Sequence, residues 1–214
     1  AASKQSKKKA TKNVSIDLPG DEVISKLRAQ KNKDKEIIFH VGHGKTGSSY
    51  LQSALALSVK RLEDLGIDYP EHPSFDAAKS GCISSGNVPG KNKWFAYLAS
   101  KVLHANQEKI LFSFEGLFSK ILTHHKLFAD TFSSYNIKII LFIRDPMDHM
   151  LSGYGQGIKR GRHTHSAEDA SDKYDVVEHV NKFIDFCNEH NFALKVINYS
   201  NRKKNLLSAF EKAL

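Results

Sequence analysis

Four short apolar blocks punctuate the chain: Ile37-Ile38-Phe39 with Val41, Lys109 to Phe114, Ile137 to Ile143, and Ala193 to Tyr199. Each is rich in β-branched and aromatic residues, the composition of buried strands. The stretches between them repeat their apolar positions at helical spacing. Leu51, Leu55, Val59 and Leu62 predict one long helix ending at Leu65-Gly66, with the glycine as stop signal. Further helices are predicted over 21–30, 94–105, around Leu117 to Leu122, from Pro146, from Tyr174 to about His190, and over the last residues with Leu206, Leu207 and Phe210. In the Tyr174 helix, Val176, Val180, Phe183, Ile184 and Cys187 should turn inward. The run IKIILFI at 137–143 has no polar face except Lys138, as in a strand covered on both sides of a parallel sheet. Strands alternating with helices predict an α/β fold, a three-layer α/β/α arrangement with a mainly parallel sheet and right-handed crossovers. No internal repeat is visible.

The sharpest signal lies where the first strand stops. Residues 36–55 read EIIFHVGHGKTGSSYLQSAL: a strand, a glycine turn over 42–49, then a helix. That geometry aims main-chain N–H groups and a helix N-terminus at an anion. Gly44 and Gly47 let the backbone approach closely. Lys45 adds a point charge, and Thr46, Ser48 and Ser49 add hydroxyls. The nucleotide triphosphatase loop needs a glycine five residues before its Gly-Lys. Here that position is Phe39, inside the strand, so the loop is shorter and of another kind. An ordinary tight turn with an exposed lysine is the plainer alternative.

A second signal follows the third block. Residues 144–154, RDPMDHMLSGY, place Arg144 at a strand end, Pro146 in the first turn of a helix and Ser152 two turns further on. An arginine leaving a central strand and a helical serine can grip one phosphate, the guanidinium by two parallel bonds. Alternatively, Arg144 pairs with Asp145 or Asp148 as a helix-start ion pair.

Candidate bases are less sharply marked. Glu115 follows the second block at a strand's carboxyl end, where open α/β sheets place ligand chemistry. Glu71 and His72 sit between Pro70 and Pro73 in a fixed irregular segment, a carboxylate beside an imidazole. His40 and His43 flank the glycine turn. The segments GCISSGNVPGKNK (81–93) and KRGRHTH (159–165) read as loops, the first a connection or a substrate contact, the second basic enough to meet a nucleotide or an acidic substrate.

Composition changes this picture little. A net charge of +9 suggests an anionic partner, but the first 35 residues hold ten Lys and Arg against four Asp and Glu and so carry +6 of it. Residues 1–12, with five lysines and no acid, read as a disordered arm rather than a nucleic-acid surface. The domain division is therefore a basic arm with a short helix over 1–35 and one α/β domain over 36–214. Cys82 and Cys187 match no metal spacing or disulfide framework. No run approaches the ~18 apolar residues of a membrane span. A reducing, cytoplasmic setting is the simplest expectation, with a Golgi-lumenal protein trimmed of its anchor as the alternative.

The GKTGSS turn and the RDPMDHMLSGY run, in this order and about a hundred residues apart, resemble the sulfotransferases that use 3′-phosphoadenosine 5′-phosphosulfate (PAPS), specifically their bacterial and carbohydrate branch. The resemblance spans roughly 36–214 and extends to GIDYP at 66–70, FSFEGLF at 112–118, and Tyr154, Gln156 and Lys159. It implies a P-loop-like fold in which Lys45 and the amides of residues 44–49 hold the 5′-phosphosulfate, and Lys45 stabilises the leaving phosphate. Arg144 and Ser152 would bind the 3′-phosphate of PAPS or of its desulfated product PAP. No metal is implied. The catalytic base would be Glu115 or Glu71, the latter with His72 beside it, and Glu115 is narrowly preferred. The acceptor would be a hydroxyl or amine of a saccharide or other polar molecule. Serines stand where threonines are common in the loop. The portion that members usually carry beyond the fourth strand and last helix has no counterpart, so the acceptor pocket is expected to be incomplete or minimal. Two other functions fit the same residues: an ATP-dependent kinase-like phosphotransferase, and a non-catalytic anion- or nucleotide-binding module.

Overall fold

The computed structural model describes residues 16–30, 34–82, 86–161, 166, 171 and 174–214. The lysine-rich arm over 1–12, residues 83–85 of the glycine-rich loop and residues 162–165 of the KRGRHTH loop lie outside them.

Five strands form one sheet in the order β2-β3-β1-β4-β5, with every neighbouring pair parallel. They are β1 (Glu36–Gly42), β2 (Ile67–Asp68), β3 (Lys109–Ser113), β4 (Asn136–Ile143) and β5 (Ala193–Asn198). The fold is thus α/β with an all-parallel sheet, as the alternation of apolar blocks requires. The run with the strongest apolar character takes the centre: Ile37, Ile38, Phe39 and Val41 of β1 are fully buried. Successive residues point to opposite faces. Ile37, Phe39 and Val41 join a phenylalanine-rich layer with Phe112, Phe128 and Phe132, under the helices α1 (Asp21–Ala29), α5 (Trp94–His104), α6 (Leu117–Thr123), α7 (His125–Phe132) and α9 (Val176–Glu189). Ile38 packs the other way with Leu111, Ile140 and Phe142 against α2 (Ser48–Leu57), α3 (Val59–Asp64), α4 (Phe75–Lys79) and α11 (Leu206–Glu211). Between β5 and α11 the chain makes a short helix α10 (Tyr199–Arg202) and one turn of 3₁₀-helix. The helix α8 (Pro146–Lys159) buries only Gly157. Leu27 of α1 is fully buried, so this segment packs into the same core as the strands.

Three local features differ from the pattern reading. The sheet has a fifth strand, β2, only two residues long, because Pro70, separated from its end by Tyr69 alone, cannot donate to a ladder. The single long helix is broken at Ser58, where φ −104° and ψ 13° leave the helical region before α3 restarts. In α9 the buried residues are Phe183, Phe186 and Cys187, whereas Val176, Val180 and Ile184 are half-buried. No helix among the described residues is long and apolar enough to cross a membrane. Cys82 is exposed and Cys187 buried, both as free thiols.

Where β2 ends, β3 would show an open edge. Asn87 closes it. Its side-chain amide donates to Leu111 C=O at 2.9 Å and accepts from Ser113 N–H at 2.7 Å, while its own N–H donates to Ser113 C=O at 3.2 Å. One buried asparagine thus does the work of a strand.

Candidate functional site

The carboxyl ends of β1 and β4, adjacent in the sheet, carry the candidate anion cradle. After Gly42 the chain turns through His43, Gly44, Lys45, Thr46 and Gly47 into α2. Lys45 adopts φ +70°, a left-handed conformation that costs a residue with a Cβ about 1–2 kcal/mol. Gly47 repeats it at φ +79° as the N-cap of α2. Alternation of this kind turns successive N–H groups toward one concavity, a nest for an anion. The first bonds within α2 run from Tyr50 and Leu51 N–H to Gly47 C=O (3.1 and 3.3 Å), so the Ser48 and Ser49 amides have no helical partner. The first turn of α2 holds no acid. The Lys45 ammonium forms no ion pair or hydrogen bond among the described residues. Strain at Lys45 and an unengaged cation in the same residue point to an anionic ligand.

Gly47 is needed for a second reason. A Cβ there would meet Leu206 Cδ2 at 2.7 Å and Tyr199 Cε2 at 2.8 Å, so the loop packs directly on the chain after β5. Thr46 and Ser48 are buried, and their hydroxyls serve the loop: Thr46 Oγ1 donates to His43 C=O (3.2 Å) and lies 3.4 Å from Ser48 Oγ. What they offer a ligand is main-chain N–H. Ser49 is exposed, and Gly44 is half-exposed with free space beside it.

Arg144 reaches the cradle from β4. Its Nη1 donates to Lys45 C=O at 3.2 Å, and Nη2 stands 3.9 Å from Asp148 Oδ2. The ion-pair alternative and the loop contact are therefore both present. Asp145, the other acid at this strand end, caps α8 by accepting from Asp148 N–H at 3.0 Å. Ser152 lies one turn beyond His149 on α8 and so shares its face.

Several residues here carried no legible signal. His149, Tyr174, Tyr199 and Lys203 converge through tertiary packing. The His43 and His149 rings meet edge-on with centroids 4.2 Å apart, and His149 Nδ1 is 2.9 Å from the Tyr174 hydroxyl. Tyr199 lies under both Arg144 and Lys203, at 5.7 and 5.8 Å, and Lys203 Nζ is 3.6 Å from Asp148. The only hint in the sequence is Tyr199 four residues before Lys203, a spacing shared by any helix face.

The two histidines beside the loop are structural. His43 Nε2 accepts the main-chain N–H of Arg144 (3.2 Å), tying the cradle loop to the end of β4. That bond requires a lone pair on Nε2, so protonating the ring would break it. Burial, helped by His149 and Arg144, lowers its pKa to about 4. His40 is fully buried, with Nδ1 2.8 Å from Ser113 Oγ, its register partner across β1 and β3. Burial alone lowers it to about 3. Tyr69, buried beside the Ser113 hydroxyl, is pushed up by its burial. His40 lies too deep to meet a substrate. Both histidines charge in the unfolded chain near pH 6.5 but only well below that in the fold. Their contribution to stability is therefore full above pH 6.5 and lost on acidification, by up to ~1.4 kcal/mol per pH unit for each. The urea midpoint should fall from pH 6.5 to about 4, and His40→Gln should flatten the slope by about one proton. A midpoint independent of pH in this window would show that neither ring is held neutral.

Neither candidate carboxylate bonds to the cradle among the described residues. Glu115 is half-buried at the turn between β3 and α6, at the same edge of the sheet. Glu71 is exposed, with its main-chain carbonyl accepting from the Tyr97 hydroxyl at 3.0 Å. His72 is half-buried, its Nδ1 held 3.1 Å from Ser74 Oγ. Among the described residues none of the three forms a hydrogen bond or ion pair with Lys45 or Arg144.

No protein-family model matches the chain, and no curated protein matches it. Among solved structures, the chain is similar to a sulfotransferase from Alicyclobacillus acidocaldarius at 16% sequence identity and a TM-score of 0.43, over 82% of this chain and 77% of that one.

Proposed function

We propose that this protein is a sulfotransferase that moves a sulfuryl group from PAPS to a hydroxyl or amine of a polar acceptor such as a saccharide. The observation that carries the reading is Lys45: a strained, left-handed lysine with an unengaged ammonium, at the carboxyl end of the central strand and in contact with Arg144. Nest amides and the α2 N-terminus suit the 5′-phosphosulfate. Arg144 and the Ser152 face of α8 suit a second phosphate beside it, the group that distinguishes PAPS from ATP. In this reading Glu115 takes the proton from the acceptor hydroxyl, whose oxygen forms the new bond to sulfur. The bond from sulfur to the phosphate oxygen breaks, and Lys45 balances the charge left on that phosphate. The engagement of Asp145 as a helix cap speaks against the kinase-like alternative, for which that strand-end acid would be the metal ligand.

Calorimetry with PAP, ADP and magnesium-ATP tests this. Wild type should prefer PAP. Arg144→Ala should lose roughly 10- to 100-fold in PAP affinity, the worth of a charge-assisted bond, with ADP unchanged. Equal or tighter binding of magnesium-ATP by the wild type would overturn the reading.

A further inference from the structure

A second cavity opens on the β3 side of the sheet edge. Its volume is about 650 Å³, and its wall includes Lys91, Lys93 and Lys120 with His72 and a single acid, Asp17. It adjoins the turn that carries Glu115, because the Phe114 ring lies 3.9 Å from where a Gly90 Cβ would stand. His72 is tied in through Ser74, whose hydroxyl donates to Gly86 C=O at 2.9 Å; Gly86 itself rests on Ser113 at the end of β3. The cavity therefore sits one strand over from the Lys45 cradle, with His72 in its wall and the turn that carries Glu115 beside it.

We propose that this cavity binds an anionic group of the acceptor, a sulfate or a carboxylate, and so selects acidic acceptors over neutral ones. This rests on the sulfotransferase reading of the neighbouring cradle. Three lysines face one aspartate there. None of the three forms an ion pair among the described residues, although Lys26, Lys109, Lys182 and Lys203 each do. Lys120 is fixed: one N–H donates to Lys91 C=O at 3.0 Å, and the ammonium stands 5.7 Å over the Trp94 ring. An ammonium has three donors, so two remain. Behind Lys93 begins α5, whose first turn has no acid and whose N-cap has no side-chain bond, adding the positive end of an 11-residue helix. Trp94, at its first position, is fully buried and its indole N–H has no partner among the described residues. Three lysines and the start of a helix thus stand at one cavity against a single acid, Asp17. Like charges destabilise the fold unless a ligand answers them, and charge complementarity is the usual source of such selectivity.

The test is calorimetry with a neutral disaccharide, its monosulfate and a uronate-containing disaccharide, each with and without PAP. The variant is Lys91→Ala/Lys93→Ala, which removes two exposed side chains and spares Lys120 and its packing. The monosulfate or the uronate should bind at least tenfold more tightly than the neutral sugar, less so at high salt. The double variant should lose about tenfold of that affinity with PAP binding unchanged. Equal binding of charged and neutral sugars, or anion binding untouched by the double variant, would overturn the inference. PAP affinity is read separately: sugar discrimination failing while PAP binds condemns this cavity alone, whereas loss of PAP preference in the wild type condemns the sulfotransferase reading.

Discussion

Lys45→Ala is expected to lower sulfuryl transfer by roughly 10²–10³-fold, the usual cost of removing a group that stabilises charge developing in the transition state. The fold should not suffer, because the ammonium forms no hydrogen bond or ion pair among the described residues. A companion variant separates chemistry from architecture. Lys45→Gly removes the same ammonium but also relieves the left-handed backbone at φ +70°. It should be more stable than Lys45→Ala by about 1 kcal/mol, read from urea midpoints, and equally inactive. A position where glycine is more stable than alanine while both lose turnover holds its lysine for function. If Lys45→Ala keeps full activity with the acceptor at saturation, the loop is a turn and not a catalytic cradle.

Gly86→Ala is expected to destabilise the protein strongly, by at least about 3 kcal/mol. The added Cβ would stand 1.7 Å from Ser113 C=O and 2.9 Å from Gln52 Nε2, and the backbone is at φ +72°. A main-chain carbonyl cannot swing aside as a flexible side chain can, so the strap 86–87 must leave the edge of β3. The three hydrogen bonds of Asn87 then open together, exposing Ser113 N–H and Leu111 C=O. Equilibrium unfolding in urea reads the loss. Because Ser113 also holds His40, the variant should lower PAP affinity through the displaced end of β1 as well. A midpoint within 0.5 kcal/mol of wild type would mean that the strap does not bear on the sheet.

The class of fold and the place of the candidate cradle were legible in the sequence. Strands β1, β3 and β4 are largely apolar runs, and burial on both faces leaves such runs no other home than the middle of a layered sheet, whereas β5, at the edge, buries only Ile197. The glycine turn is equally local: Gly44, Lys45 and Gly47 sit within four positions, and Gly47 takes the positive φ that glycine allows, although Lys45 takes one too. Arg144 and Asp145 lie at a strand end for the same reason. The fifth strand was not legible, since two residues ahead of a proline show no period. Nor was the break at Ser58, which no glycine or proline marks. Packing decided which polar groups serve the fold and which remain for a ligand. The hydroxyls of Thr46 and Ser48 look like phosphate donors in the sequence and are turned inward by the loop. His40 and His43 look like bases and are buried ties, one to Ser113 and one to Arg144 N–H. Lys91, Lys93 and Lys120 read as ordinary surface charge in two separate segments, yet share one cavity because α6 folds back against the 86–93 loop. Composition and spacing report what a residue can do. Whether its charge is already answered depends on partners tens of residues away, which only packing brings within reach.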